Sequence, residues 1–326
     1  MVATNSEDYP FSVRGGRRRQ ELIKENVLAP YVGDGRYFNV ATRQQLIDWM
    51  ADQHNSMSLT DETLHLAIVY MDTFLTQRVP DTFLQRSGAS GSEPVEARPL
   101  RALGGDRVLH SVDMQHPLCN KLKRLGITCI FVAAKVTEVM TPTANEFATY
   151  AEVSSFTRDQ LLLAERALLR ELKYALIRPT AFGFAEAYVE SVLRTTNQLR
   201  KFPDRIEFAN CAFAHYGDVA ACFKETTYYL VELAKYGHEG LKFTPSLIAA
   251  ASVAASLRYL DIKWDEIPIL EEVAGYNWEQ LGEACDYLRR VARDAQMIEE
   301  WSDGLTVNSK YEGVTSFVFS TINSEP

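Results

Sequence analysis

What the sequence lacks already excludes several classes of function. Its 326 residues contain 34 basic and 43 acidic side chains, and the resulting net charge of −9 provides no general basic field for holding a nucleic-acid backbone. The apolar runs near 125–134 and 247–257 are shorter than the roughly 20 residues that a membrane-spanning helix requires. Neither a nucleic-acid nor a membrane partner is therefore expected.

Reactive motifs are also missing. The five cysteines form no CxxC pair, and the six histidines show no HxxxH or HExxH spacing. No GxxxxGK[ST] loop, GxGxxG turn or GxSxG elbow occurs in the chain. We therefore expect no metal, no cofactor and no catalytic residues, and a binding protein rather than an enzyme.

The apolar residues that are present follow a helical period. Leu64, Ala67, Ile68, Met71 and Leu75 recur at i, i+3, i+4, i+7 and i+11, which is typical of a helix with one buried face. Residues 143–146 and 157–160 have the spacing of capping boxes, in which side chains satisfy the free backbone groups at a helix start. The pattern predicts an all-α fold.

A repeat divides the predicted helices into two sets. GITCIFVAAKV, from residue 126, and TPSLIAAASVAASLRYL, from residue 244, are both Ala-rich apolar helices that follow an amphipathic helix. Since Pro179 ends one helical set, we predict two tandem five-helix domains at 42–178 and 179–298. A partly helical segment with a short helix precedes them at 1–41, and an extended tail follows at 299–326. The Gly- and Ser-rich stretch at about 80–116 is predicted to be a mobile insertion, either functional or disordered.

Two charges interrupt the apolar faces of the first set. Lys135 lies near the end of one buried helix, and Glu165 lies on or beside the apolar stripe of another. Each side chain could lie at the edge of the core and face solvent, with Glu165 in water beside Arg166 or Arg170. Alternatively, the two form an ion pair at the rim of an apolar patch that a partner covers. That patch would comprise Val132, Val136, Val139, Leu169, Tyr174 and Leu176.

The chain resembles the A/B-type cyclins. The resemblance covers about residues 40 to 315, and the segments that carry it occur in the order in which that family has them. These segments are RQQLIDW, ETLHLAIVYMDTFL, KLKRLGITCIFVAAKVTE, RPTAFGF and SKYEGV. The resemblance implies two cyclin boxes and a regulatory, non-catalytic subunit, present in nucleus and cytoplasm, that binds and activates a cyclin-dependent kinase. The alternative is a cyclin-fold scaffold or transcription-related binding protein that activates no kinase.

The resemblance also assigns a kinase-binding site. Lys135 and Glu165 match the pair that grips the kinase backbone near its C-helix. Val136 stands where the family usually has a larger aromatic residue, and Thr137 where it has an acidic one, so a looser kinase fit is expected. The positions that match kinase-facing residues are Glu138, Val132, Val136, Leu169, Tyr174 and Leu176.

A second implied site is the groove that receives Arg-x-Leu peptides. The family motif Met-Arg-Ala-Ile-Leu reads Thr42-Arg43-Gln44-Gln45-Leu46 here, while Trp49, Asp52 and Leu122 are retained. Polar Thr42 and Gln45, together with the positive charge of Lys123, predict weak docking of basic Arg-x-Leu substrates or inhibitors. Alternatively, Arg43 and Asp48 simply pair and Trp49 fills the core.

Overall fold

The structure is a computed structural model that describes residues 40–78, 99–101, 108–110, 117–153, 156–195, 219–260, 274–301 and 305–324. The predicted N-terminal segment at 1–41 lies almost entirely outside these residues. The helices of the first half are α1 (Val40–Ser56), α2 (Asp61–Arg78), α3 (Pro117–Thr137), α4 (Ala144–Tyr150) and α5 (Arg158–Glu171). Those of the second half are α6 (Ala181–Thr195), α7 (Val219–Ala234), a 3-10 helix (His238–Lys242), α8 (Pro245–Tyr259) and α9 (Trp278–Trp301).

Helix α3 is the axis of the first half. It packs against α1, α2, α4 and α5, and every residue from Leu125 to Ala134 is buried. Gly126 allows α1 to approach, because a Cβ atom there would lie 3.0 Å from Met50. Both predicted capping boxes are confirmed, with Thr143 capping α4 and Thr157 capping α5.

Helix α8 has the corresponding place in the second half. Thr244 caps it, Pro245 opens it, and it packs against α6, α7 and α9. Ser256 is buried there, bonding to Thr227 and to the carbonyl of Ser252. The repeat predicted from the two Ala-rich segments is thus visible as two central helices, each surrounded by others, and the all-α class is confirmed.

Two segments differ from their predictions. The tail, expected to be extended, instead forms α10 (Thr306–Lys310) and α11 (Glu312–Ser324). The buried residues of the tail recur at helical spacing, so the prediction of an extended tail was wrong. They are Val314, Phe317, Val318 and Ile322. Within the 80–116 insertion, strands β1 (Pro99–Arg101) and β2 (Val108–His110) form an antiparallel pair, and the remainder lies outside the described residues.

A buried ion pair joins the two halves. Arg43, 1% exposed, donates from Nε and Nη2 to both carboxylate oxygens of Asp72, at 3.0 and 2.8 Å. Its Nη1 donates to the carbonyls of Lys235 and Tyr236 at the end of α7, at 2.8 and 3.3 Å. Arg43 therefore fastens α1 to α2 within the first half, and to α7 across the boundary.

The predicted Arg43–Asp48 pair is wrong. Positions five apart on a helix do not face each other, so the two side chains of α1 point in different directions. Asp48 instead accepts from the Tyr236 hydroxyl at 3.1 Å and from the Thr306 amide at 2.8 Å. Burial raises the pKa of Asp48, against the opposing effect of these hydrogen bonds.

A second polar network attaches the tail helices. Lys310 donates to both Asp61 and Glu232, and Tyr311 donates to Glu232 at 2.9 Å. Burial alone would raise the pKa of Glu232, but the ammonium groups of Lys235 and Lys310 outweigh it and hold that pKa far below its usual range. The SKYEGV segment thus connects α7 with the start of α2.

The Arg43–Asp72 pair predicts a large stability difference between two aspartate variants. Asp72→Ala leaves a buried guanidinium without its carboxylate, so we expect a loss of about 3–5 kcal/mol in the free energy of unfolding. The control is Asp286→Ala, because Asp286 pairs with Arg289 on the exposed side of α9 and should cost less than about 1 kcal/mol. Urea denaturation measures both, and equal losses would contradict the role given to Asp72.

Glu62 forms another contact between the halves. Its Oε2 accepts from the Thr180 hydroxyl at 2.5 Å, and the same hydroxyl accepts from the Gly183 amide at the start of α6. Burial raises the pKa of Glu62 to about 7, against the opposing effect of the Thr180 hydrogen bond. Because the usual value is 4.5, the folded state resists ionisation of Glu62 more than the unfolded chain does.

The raised pKa of Glu62 predicts a pH-dependent gain for Glu62→Gln. Stability is lost as the pH rises from about 4.5 through 7, since the unfolded state ionises first. The variant should match the wild type near pH 4 and exceed it by about 1–3 kcal/mol at pH 8. Denaturation at both pH values tests this, with exposed Glu190→Gln as the control; an equal difference at both pH values would rule out the titration.

Candidate partner-binding site

The structure brings Lys135 and Glu165 together. Lys135 Nζ, on the last turn of α3, lies 2.6 Å from Glu165 Oε1 in the middle of α5. The Lys135 side chain is 42% exposed and that of Glu165 15%, so the pair lies at the edge of the core. The ammonium also lies 3.9 Å from the centre of the Phe131 ring, which orients it further. The alternative interpretation, with Glu165 in water beside Arg166 or Arg170, is therefore wrong.

Exposed apolar side chains concentrate around this pair. Among the described residues, eight large hydrophobic side chains are exposed, and six of them lie on α5, on the last turn of α3 or in the segments that follow these two helices. Exposed apolar surface often marks an interaction site. One of the six, Leu163, is two positions from Glu165 and so lies on a different face of α5. We name the other five residues and the Lys135–Glu165 pair the platform. The five are Val136, Val139, Met140, Tyr174 and Ile177, with exposures from 42% to 98%.

Three exposed apolar residues were missed from the sequence. Met140 follows the end of α3, Ile177 lies in the segment between α5 and α6, and Leu163 lies on α5 two positions before Glu165. An apolar residue soon after a helix end could have drawn attention to Met140. Leu163 follows two other leucines, and nothing in that run shows which of the three faces solvent.

The prediction that Val132 lies at the partner-facing surface is wrong. Val132 is only 2% exposed, because α3 is enclosed by its neighbours until the turn that begins at Lys135. Val136 and Val139 emerge beyond that point, as predicted. Leu169 and Leu176 are half-buried and support the platform from beneath.

Glu138 forms hydrogen bonds to other residues of the same chain. Its Oε1 accepts from the Thr60 amide and hydroxyl at 2.7 and 2.8 Å, and from the Thr63 hydroxyl at 2.5 Å. Burial alone would raise the pKa of Glu138, but these hydrogen bonds outweigh it and lower the pKa. A carboxylate at the start of α2 also interacts favourably with the helix dipole. Glu138 thus ties the end of α3 to α2 and positions the platform.

Tyr174 owes its exposure to the way α5 ends. The Tyr174 amide donates to the carbonyl of Leu169 and the Lys173 amide to that of Arg170, each at 3.0 Å, which is the Schellman pattern. Lys173 and Tyr174 have φ values of 52° and 58°, a left-handed conformation that costs a non-glycine residue about 1–2 kcal/mol. The Tyr70 hydroxyl holds the next segment by donating to the Leu176 carbonyl at 2.6 Å.

The predicted docking groove is only partly at the surface. Thr42, Leu46 and Leu122 are buried in the core, so their assignment to a surface groove is wrong. Thr42 and Leu46 are four apart and lie on the inner face of α1. Gln45, Trp49 and Asp52, at i, i+4 and i+7, form its outer stripe.

Trp49 is half-buried and already has partners. Its Nε1 donates to Glu152 Oε2 at 3.3 Å, and Lys123 Nζ lies 5.3 Å from its ring centre and 3.8 Å from the same carboxylate oxygen. Sequence reasoning missed Glu152, which lies in the turn after α4. Beside this cluster, the buried Oε1 of Gln45 has no hydrogen-bond partner among the described residues.

Neither a metal site nor a membrane span is found in the described ranges. No group of three or more His, Cys, Asp or Glu side chains there could hold a metal ion. Within the same residues, no helix is both long and apolar enough to cross a membrane.

The described residues form two consecutive helical domains built around similar central helices, and comparison with known families identifies the class of protein. The model of the cyclin N-terminal domain matches residues 17–91 and 105–177, and that of the cyclin C-terminal domain matches 203–316. The chain therefore belongs to the cyclin family.

Its curated relatives include A- and B-type cyclins. The chain is 27% identical to G2/mitotic-specific cyclin-A of Drosophila melanogaster over 241 residues, which is 73% of this chain and 36% of the relative. It is 27% identical to G2/mitotic-specific cyclin-B1 of Xenopus laevis over 282 residues, 86% of this chain and 54% of the relative. The chain thus spans between a third and about half of these proteins.

A solved structure shows the same fold. The viral cyclin from herpesvirus saimiri aligns with a TM-score of 0.55 at 16% identity, covering 87% of this chain and 96% of the viral protein.

Proposed function

We propose that this chain is the regulatory subunit of a cyclin-dependent kinase and activates it by binding through the platform. The observation that carries the proposal is the Lys135–Glu165 pair, held at 2.6 Å beside a concentration of exposed apolar side chains. An ammonium donates and a carboxylate accepts, so the pair can satisfy both carbonyl and amide groups of a partner's backbone. The chain supplies no chemistry of its own, and the partner kinase does the catalysis.

Activation follows from differential binding. The platform lies on two helices that pack against each other and on the segments that follow them. A kinase conformation whose C-helix fits that surface gains the buried apolar area and the contacts of the charged pair. The equilibrium between inactive and active kinase then shifts by the difference in binding free energy. Val136, smaller than an aromatic residue, leaves a looser contact at that position.

The second candidate is a cyclin-fold scaffold that activates no kinase. Such a protein has no need of an ion pair arranged at the edge of an apolar surface, and loss of that pair is its expected signature. The retained pair favours the kinase regulator.

The platform predicts a large effect of Lys135→Ala and Glu165→Ala on kinase affinity. Once the kinase covers the pair, removing one member leaves the other charge buried without a partner. This should cost about 3–5 kcal/mol of binding free energy, or roughly two to three decades of kinase affinity. In the free chain the pair is partly in water, so each variant should change the free energy of unfolding by less than about 1 kcal/mol. Isothermal titration against a panel of cyclin-dependent kinases, with histone phosphorylation as the activity readout, measures the first effect.

Lys242 provides the matched control. It pairs with Glu283 at 2.7 Å with a 43% exposed side chain, and its ammonium lies 5.0 Å from the Phe243 ring, but it is in the second half. Lys242→Ala should leave kinase affinity unchanged. Equal activation by wild type, Lys135→Ala and Glu165→Ala would remove the role of the pair. No activation of any kinase by the wild type would favour the scaffold.

The Trp49 cluster predicts weak docking of Arg-x-Leu peptides. Lys123 already lies over the Trp49 ring, so a peptide arginine meets both a filled aromatic face and a like charge. Lys123→Gln should strengthen binding by about threefold to tenfold, and more at low salt. Lys121→Gln, an exposed position on the same helix, is the control. Fluorescence titration of a labelled peptide measures the affinities; tight wild-type binding, or equal gains in both variants, would refute the prediction.

A further inference from the structure

A cavity of about 130 Å³ lies between the two halves of the chain. Its walls come from α1 and α2, the segment that follows α5, α6, α7, the 3-10 helix with the residues around it, and the start of α8. It shares no lining residue with the platform. Any molecule bound in it would contact both halves at once.

Most of the cavity wall is apolar. Val69, Val231, Phe243 and Ile248 line it. Three cations also lie in the wall, and each has a partner: Arg43 pairs with Asp72, Lys235 pairs with Glu232, and Arg178 donates to the Ala175 carbonyl. An engineered apolar cavity of about 150 Å³ in another protein binds benzene. Since this cavity is slightly smaller, a single ring is the largest aromatic group that we expect it to hold.

One polar atom in the wall has no hydrogen-bond partner among the described residues. This atom is Nε2 of His65, which is buried. His65 is 6% exposed, lines the cavity and stacks on Phe182 with ring centres 5.2 Å apart. Burial lowers the pKa of His65 well below its usual value, which keeps the ring neutral. Buried polar atoms in native proteins are normally hydrogen-bonded, so Nε2 offers a hydrogen-bonding position to a molecule bound in the cavity.

We propose that this cavity binds a neutral, single-ring aromatic molecule bearing one hydroxyl group, that is, a phenol, with the hydroxyl bonded to His65 Nε2. A hydroxyl both donates and accepts, so it satisfies Nε2 in either neutral tautomer of the imidazole. The ring fills the apolar remainder of the cavity. Since the site exists only while the halves are packed together, the ligand stabilises that arrangement. The proposal does not depend on kinase binding.

The test uses the full chain with phenol and benzene as probes. Isothermal titration and ¹H–¹⁵N NMR should show one site between the halves, with phenol bound about fivefold more tightly than benzene because of one added hydrogen bond. The melting temperature should rise with phenol concentration. If no binding is detected at millimolar phenol, the cavity holds only water and the proposal is overturned.

Two variants separate the contributions. His65→Phe retains the ring stacking but removes Nε2, so phenol should lose its advantage and bind about as benzene does. Val69→Phe fills the cavity from α2 and should abolish binding of both probes; circular dichroism checks that each variant is folded. Phenol binding that persists in Val69→Phe, or a preference for phenol that survives in His65→Phe, would show that the ligand lies elsewhere.

Discussion

The structure depends on the rule that a charge inside a protein must be paired and hydrogen-bonded. The Arg43 guanidinium satisfies this rule by donating hydrogen bonds to both carboxylate oxygens of Asp72 and to two carbonyls at the end of α7. The four acceptors come from two different elements, so satisfying one guanidinium fixes α1, α2 and α7 relative to one another. Arg43 thus acts together with the Glu62–Thr180 and Asp48–Tyr236 hydrogen bonds in joining the two halves, and the Lys310–Glu232 network attaches the tail helices to α7.

At the platform, the charge of Lys135 is paired but only partly hydrogen-bonded by the protein. Lys135 has one carboxylate and one aromatic face, and it keeps a large exposed fraction. Water supplies its remaining hydrogen bonds in the free chain. A partner that displaces this water must replace them, and a backbone carbonyl can do so. The interior pair therefore organises the fold, whereas the surface pair is left incomplete and is available for binding.

Local signals explain what the sequence could predict. The capping boxes at Thr143 and Thr157 depend on residues three apart, and the two Ala-rich central helices are recognisable by composition alone. The meeting of Lys135 with Glu165 was one of two open interpretations, because it depends on how two helices pack. The partner of Arg43 was misjudged for the same reason, since Asp72 is 29 residues away and lies on another helix. Thr42, Leu46 and Leu122 were assigned to a surface by family position, and Val132 by its place in the predicted apolar patch as well, although all four are buried.

The burial of α3 also limits what the platform can bind. Because its neighbours enclose α3 from Leu125 to Ala134, the surface at its C-terminal end consists only of its last turn and the residues just beyond. Glu138 is drawn back onto the start of α2, which removes one charge from the exposed area. What remains is a set of exposed apolar side chains and the Lys135–Glu165 pair, with the exposed cations Arg166, Arg170 and Lys173 on or directly after α5. For the proposed kinase partner we therefore expect an apolar helix face together with unpaired backbone groups.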